Sequence, residues 1–235
     1  MINLSERSYN KELLDEDDIP FADIQQNMKE LNTINTYLGG HHISISGLKE
    51  IIRNCPADQP ITVCEIGCGG GDNLKAIEKW SSAHSIKINF IGIDIKAACI
   101  EYAQQQYPHL NAQWIVSDYK IVEFTHHRPD IIFSSLFCHH FKNGPIVEML
   151  HWMKRNSARG FFINDLHRHP LAYYSIKMIT RIFSRSYLVK NDAPLSVARG
   201  FKKTEWQKMI ADAGLSNCPV QWKWAFRHLI IAKFI

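Results

Sequence analysis

The sequence contains no uninterrupted apolar stretch near the roughly 18 residues that a membrane-spanning helix needs, which excludes an α-helical span. Its opening residues, MINLSERSYNKELLDEDDIP, have no apolar core of the signal-peptide kind, so a cytoplasmic location is expected. Cysteine is present but unpaired. The six cysteines, at positions 55, 64, 68, 99, 138 and 218, show no CxxC spacing, which favours buried free thiols over disulfides or a zinc knuckle. No His, Cys or carboxylate set recurs at helical or knuckle spacing, so no metal is expected. Internal repeats and low-complexity tracts are missing as well. Nor is one sign of charge in large excess: the net charge is +4 over 235 residues, with Lys and Arg scattered except between 177 and 203. That is too thin for the dense basic stripe of a nucleic-acid binder. The basic stretch reads as a solvated face, with contact to an anionic membrane surface as the alternative.

What is present is a globular composition, 46% hydrophobic and 21% charged, enough for one domain with an appendage. The chain is organised around residues 61–74, ITVCEIGCGGGDNL. A β-branched run closed by Glu65 is followed by Gly67, Gly69, Gly70 and Gly71 and then by an apolar-periodic segment, which spells strand, glycine turn and helix. Such a turn brings backbone within contact distance of a ligand, and the helix that follows points its free N–H groups there. A dinucleotide fingerprint needs a small residue three beyond the second glycine, and Asp72 stands in that place. The pattern that fits is acidic-x-Gly-x-Gly-x-Gly, from Glu65 through Gly67, Gly69 and Gly71. In this the chain resembles the class I S-adenosylmethionine-dependent methyltransferases. The resemblance implies that the turn, Cys68 included, faces the methionine end of the cofactor and that Glu65 orients its amino group.

Two further strands extend the match. Residues 86–95, IKINFIGIDI, end near Asp94, about twenty residues beyond the turn, where a carboxylate can accept from both ribose hydroxyls. Ile95 would lie against the adenine. The strand at 112–116 ends in Ser117, Asp118 and Tyr119, and the resemblance implies that this tip receives the adenine amino group. Ser134, at the tip of a fourth strand over 129–133, completes the implied cofactor set.

The loop after that fourth strand, Ser134-Ser135-Leu136-Phe137-Cys138-His139-His140-Phe141, departs from three methyltransferase patterns. Nucleic-acid amino-group enzymes have an Asp/Asn-Pro-Pro-aromatic loop here, DNA cytosine enzymes a Pro-Cys pair, and metal-dependent catechol enzymes an Asp at this tip with an Asp-Asn pair after the next strand. This chain has Ser134 and a reversed Asn164-Asp165. The loop resembles the hydrophobic-x-His-His-hydrophobic segment of quinone-biosynthesis and related small-molecule methyltransferases. The pieces TYLGG, FSSLFCHHF, FFINDLHRHPLAYY and NDAPLSVARGF are also similar to a bacterial subgroup associated with polyketide-type secondary metabolism, which implies a phenolic or lipophilic acceptor. A phenol with a pKa near 10 is mostly neutral at pH 7, so a neutral imidazole beside the methyl group would serve as general base. His139 and His140 are the candidates, with His167 and His169 in reserve. Tyr37, His41 and His42 are candidate contacts from the preceding helix and its loop.

Around this core, residues 1–18 read as polar and their acidic cluster, 15–18, as solvated. Helices are expected over 20–38 and 46–53, then a linker over 56–60. Residues 1–55 form an expected helical cap, and 56–235 the methyltransferase domain, with a helical insertion at about 166–203. Within the insertion, an amphipathic helix from Pro170 precedes an irregular basic stretch to Arg199. A capped helix from Thr204 and a terminal hairpin close the chain. The expected fold is α/β: a Rossmann-like seven-stranded sheet, mostly parallel with an antiparallel last strand. The expected function is O-methylation of a small aromatic or lipophilic metabolite; carbon methylation of an activated ring, or cofactor binding without turnover, are the alternatives.

Overall fold

Short β-branched runs closed by turns become one sheet in the computed structural model, in which residues 3–16, 18–53, 59–124 and 127–234 are described. Its strands are β1 (Ile61–Ile66), β2 (Ile88–Asp94), β3 (Ala112–Val116), β4 (Ile131–Ser135), β5 (Gly160–Leu166), β6 (Val220–Lys223) and β7 (Arg227–Lys233). They are ordered β3-β2-β1-β4-β5-β7-β6. Pairings among β1 to β5 are parallel, and β7 runs antiparallel to β5 and β6. The expected fold class is thus the observed one. Strand order reverses between β1 and β4, and a parallel sheet opens a crevice outside the carboxyl ends at such a point.

The helices are α1 (Phe21–Tyr37), α2 (Gly40–Ile52), α3 (Asp72–Ala83), α4 (Ala97–Gln106), α5 (Asn143–Asn156), α6 (Pro170–Phe183), α7 (Tyr187–Arg199) and α8 (Lys203–Asp212). Strand alternation sends Val63, Phe133, Phe162 and Leu229 to one face, against Leu48 and Ile51 of α2 and Leu74 and Ile77 of α3. Cys64, Ile132, Ile163 and Ile230 face the other way, onto Met149 and Met153 of α5 and Trp206 and Met209 of α8. Both layers are dry. On the first face a Cβ at Gly47 would stand 2.6 Å from the Phe162 ring, so α2 lies directly on the sheet. Only α1 rides higher, packing Ile24 and Met28 on Cys99 and Tyr102 of α4.

Three local expectations change. The second helix starts at Gly40 instead of Ser46, because Gly39 takes a left-handed φ of 73° and reverses the chain in one residue. His41 and His42 therefore lie in a helical first turn, not a loop. The stretch up to Arg199, read as irregular and basic, forms α7 with Pro194 inside it. An interior proline costs about 3 kcal/mol. Burial of Leu188, Val189 and Val197, each worth roughly 1.5–3 kcal/mol, outweighs it, and Ser186 caps the start by accepting from the Val189 N–H at 3.3 Å. The second strand begins at Ile88 rather than Ile86. Cys55, Asp17 and positions 56–58 of the expected linker lie outside the described residues.

Candidate active site

The carboxyl ends of β1 to β5 open into a cavity of about 770 Å³ roofed by α1, α6 and α7. At the β1 tip, Glu65 is buried, and its Oε1 accepts from Asn73 Nδ2 at 3.2 Å. Its Oε2 has no partner among the described residues. Burial first, then the charge of Asp72, pushes its pKa well above the ordinary carboxylate value. A lone buried carboxylate oxygen beside a cavity is a seat for a cationic N–H donor. Gly67 has φ +66°, and a Cβ there would enter the Phe137 ring. No other residue fits that position.

Asp94 at the β2 tip accepts from the Gly69 N–H through Oδ2 and from the Lys96 N–H through Oδ1, both at 2.9 Å. It thereby shapes the glycine turn as well as lining the cavity. Burial raises its pKa despite those two donors. Cys68 is buried in the turn, its thiol pushed up by burial, while Ile95 presents an exposed side chain. Asp118 Oδ1 accepts from the Lys120 N–H at 3.0 Å and so caps a short 3₁₀ turn. Tyr119 sits in that turn, edge-on to Phe137, Phe141 and Trp152. All of these line the cavity except Lys120 and Trp152.

Ser134 does not line it. It is fully buried in β4, with Oγ 3.4 Å from Cys138 Sγ, and its neighbour Ser135 faces the cavity instead. A strand turns successive side chains to opposite faces, so reading the tip one residue early selects the wrong serine.

The second half of the cavity gathers side chains from five distant places. After β4 the chain takes a left-handed turn at Leu136, φ 54°, and enters a 3₁₀ turn, Cys138–His140. His139 is buried; its Nδ1–H donates to Asp165 Oδ1 at 2.8 Å. Burial alone would raise the pKa of Asp165, but the charge and hydrogen bond of His139 hold it below the usual value. An ionised carboxylate can only accept, so Nδ1 carries a proton, and Nε2 is the nitrogen turned towards Glu12 Oε1 at 3.7 Å. His140 differs. Its Nδ1 lies 3.3 Å from Asp15 Oδ1 and its Nε2 3.7 Å from Glu12 Oε2. Burial would lower its pKa, yet Asp15 and Glu12 together raise it. In turn burial would raise Asp15, but His140 and Arg199 bring it down to about 2.

Glu12 stands between both imidazoles, 3.7 Å from His139 Nε2 and 3.7 Å from Arg199 Nη1, and accepts from Ser196 Oγ at 2.7 Å. Asp192 accepts from the Leu13 and Leu14 N–H groups at 2.8 and 2.9 Å. Arg7 donates to the Arg199 and Phe141 carbonyls, each at 2.9 Å. The N-terminal segment is thus clasped to α7 and to the histidine turn, and Asp15, of the cluster expected to be solvated, is drawn into it, whereas Glu16 and Asp18 are exposed. One ligand-capable atom each from Glu12, His139 and His140 falls within 4.8 Å of the others. The fold therefore assembles a cation-sized set that no local spacing announced, and Arg199 already supplies positive charge to it.

Among the remaining candidates, Tyr37 is exposed, and His41 is buried between Asn32 Oδ1 at 3.1 Å and Asn73 Oδ1 at 3.3 Å. Neither they nor His42 line the cavity. His169 caps α6, its Nδ1 accepting from the Leu171 N–H at 3.1 Å. With His167 it lines a separate cavity of about 480 Å³. Sequence reasoning missed Arg227, a buried lining residue whose Nη2 donates to Asn35 Oδ1 at 2.9 Å. Its Nε and Nη1 have no partner among the described residues. Burial lowers its pKa to about 10, so it remains a cation at neutral pH.

Residues 63–160 match a family model described as a methyltransferase domain. No curated protein matches the chain. Among solved structures, the fold resembles the plantazolicin methyltransferase BpumL in complex with a monoazolic desmethylPZN analog and SAH, with TM-score 0.64 and 15% identity over 91% of this chain and 88% of that one. A SAM dependent methyltransferase from Aquifex aeolicus aligns with TM-score 0.55 and 17% identity over 80% and 89% of the two chains. The magnesium protoporphyrin IX methyltransferase of Synechocystis PCC 6803 with bound SAM aligns at 0.50 and 14% identity over 90% and 80%.

Proposed function

We propose that this chain, a class I S-adenosylmethionine-dependent methyltransferase by its domain and fold, methylates a hydroxyl of a small aromatic or lipophilic metabolite. The observation that carries this reading is that one cavity joins a buried carboxyl oxygen and a buried guanidinium, each with atoms that lack a partner among the described residues, to an imidazole oriented by Asp165. The unpartnered Glu65 Oε2 and the unpartnered Arg227 N–H groups are an acceptor and a donor set linked through neighbours, with His41 3.6 Å from Asp72 and 3.3 Å from Asn73. Asn35 touches both Arg227 and Asp72, and Asn73 touches Glu65. Such a pair fits the ammonium and carboxylate of an amino-acid group. The residues present therefore fit the donor, with Asp94 and Asp118 left for its ribose and adenine.

The bound donor supplies an electrophilic methyl carbon on a sulfonium. The protein's part is positional: the acceptor oxygen must lie about 3 Å from that carbon and opposite the sulfur. His139 Nε2 takes the hydroxyl proton, while Asp165 fixes the tautomer and stabilises the resulting imidazolium. The oxygen lone pair forms the C–O bond and the sulfur keeps the electrons of the bond that breaks. The base is assigned to His139 because its partner Asp165 is a buried strand residue at 2.8 Å, whereas both His140 ring nitrogens face the N-terminal carboxylates Asp15 and Glu12. Apolar roof residues Leu31, Ile34, Ile176 and Val197 suit a lipophilic acceptor.

Thermal shifts and methyl-transfer assays test this. S-adenosylmethionine and its demethylated product should raise the melting temperature, whereas a nicotinamide dinucleotide should not. His139→Ala and Asp165→Asn should each lower turnover on a hydroxylated aromatic panel by roughly 10²- to 10⁴-fold with donor affinity retained. Stabilisation by the dinucleotide alone, or unchanged turnover in both variants, overturns the reading.

A further inference from the structure

The roof helix α6 has two apolar faces. Ala172, Ile176 and Ile179 point into the cavity. On the opposite side Leu171, Tyr174, Met178 and Ile182 recur at helical spacing with Phe183 at the end, and all five are exposed, Met178 at 61% and Phe183 at 78%. A row of solvent-facing apolar residues on an otherwise packed helix lacks a partner. Its flank is basic: Lys177, Arg181 and Arg185 recur every four residues and are exposed or half-buried. No Asp or Glu occurs between Asp165 and Asp192. From α1, Glu30 accepts from Ser184 Oγ and from the Arg185 and Ser186 N–H groups, and Asp23 from the Tyr187 hydroxyl, so these carboxylates meet the chain beyond the end of α6.

We infer that the outer face of α6 docks on an anionic lipid surface. An apolar stripe bordered by Lys and Arg and free of acid is the pattern of a helix that lies in the plane of a membrane interface, its apolar side sunk to the acyl boundary and its cations among anionic headgroups. A second copy of this chain would not answer to the same charge pattern, since it would set Lys177 and Arg181 against their own like. The placement has a consequence for traffic. A helix seated on lipid by one face while its other face roofs the cavity gives a lipophilic molecule a short path from the bilayer to the site. The hairpin that carries exposed Trp222 and Trp224 abuts the start of the same helix, where Phe226 stacks on His169 at 4.9 Å, adding the amphipathic rings that favour headgroup depth.

Docking goes beyond the proposed reaction and is scored without donor or acceptor. The full chain is sedimented with phosphatidylcholine vesicles, with and without phosphatidylglycerol, across a salt series. Binding is expected only with the anionic lipid and should weaken with salt. Lys177→Gln with Arg181→Gln should reduce it about 25-fold, roughly fivefold for each cation lost. Met178→Asp with Ile182→Asp should reduce it by roughly tenfold or more. Each variant must keep the wild-type melting temperature and donor-induced shift; should the aspartate pair fail to fold, the glutamine pair alone decides. No binding by the wild type overturns the inference, as does binding unchanged in the folded variants. So does a wild-type dimer that the aspartate pair converts to monomer with no lipid bound, which would make a second copy the occupant.

Discussion

The two halves of the cavity handle charge in opposite ways. On the donor side, buried charges are left open: Glu65 Oε2 and two Arg227 nitrogens have no partner among the described residues. On the acceptor side, polar groups are answered from within, with Glu12, Asp15 and Asp165 placed against the imidazoles of His139 and His140 and the guanidinium of Arg199. An open buried charge costs stability until a ligand arrives, whereas a closed cluster holds its shape without one. The donor side is therefore tuned for affinity and the acceptor side for geometry.

The sharpest way to break this contrast is Glu65→Gln. A charged hydrogen bond is worth roughly 1.5–3 kcal/mol, so affinity for S-adenosylmethionine, read by titration calorimetry, should fall about 10- to 150-fold. The free protein should become no less stable. The folded pKa of Glu65 is raised, so the folded state holds its proton more tightly than the unfolded one. Stability is then lost as pH rises from the unfolded value towards the folded one, and glutamine removes that loss. A variant that binds the donor as well as wild type would mean that the open carboxylate is a packing feature and that the contrast is false.

The same contrast separates what the sequence disclosed from what it hid. Glu65, the glycines, Asp94 and Asp118 each sit at the end of one strand, so a local pattern and its spacing suffice to place them. His139 and His140 were legible for the same reason. Glu12 and Asp15 were not, because an acidic run before a helix reads as solvent-facing until tertiary structure sets α7 beside it. Asp165 was visible only as half of a dipeptide that argued against a metal site, and Arg227 only as the start of a terminal strand. All seven strands were legible, with their ends displaced by up to three residues. α7 was hidden because the burial of Leu188, Val189 and Val197 that stabilises it around Pro194 exists only in the tertiary structure.

A middle-sized effect tests whether the acceptor cluster is truly closed. The folded pKa of His140 is raised by Asp15 and Glu12. Its contribution to clasping the N-terminal segment is thus full below its unfolded value near 6.5 and is lost as pH rises through the folded value. Trypsin cleavage after the exposed Lys11 should accelerate over that interval, by roughly tenfold for each pH unit between the unfolded and folded values. In His140→Gln the rate should be fast and, trypsin's own profile subtracted, flat with pH. A wild-type rate that does not change would show that Arg199 and Asp192 alone hold the segment.

The smallest effect discriminates between two adjacent residues. Ser134 and Ser135 both stand at the β4 tip, yet only Ser135 lines the cavity, where its Oγ accepts from Asn164 Nδ2 at 3.3 Å. Ser134 faces the packed side, and its Oγ meets only Cys138 Sγ within hydrogen-bonding range among the described residues. Ser134→Ala removes one weak contact from a dry layer, so stability should change by about 1 kcal/mol or less and donor affinity by less than about twofold. Ser135→Val removes the hydroxyl that faces the cavity, while Asn164 Nδ2 keeps the Gly40 carbonyl and Ser44 Oγ as acceptors, so turnover should fall by more than donor affinity or stability does. Because strand alternation fixes which of the two faces outward, a large loss of donor affinity in Ser134→Ala would mean that β4 is shifted by one residue. Asp165 and the histidine turn, which pair through that register, would then no longer meet as described.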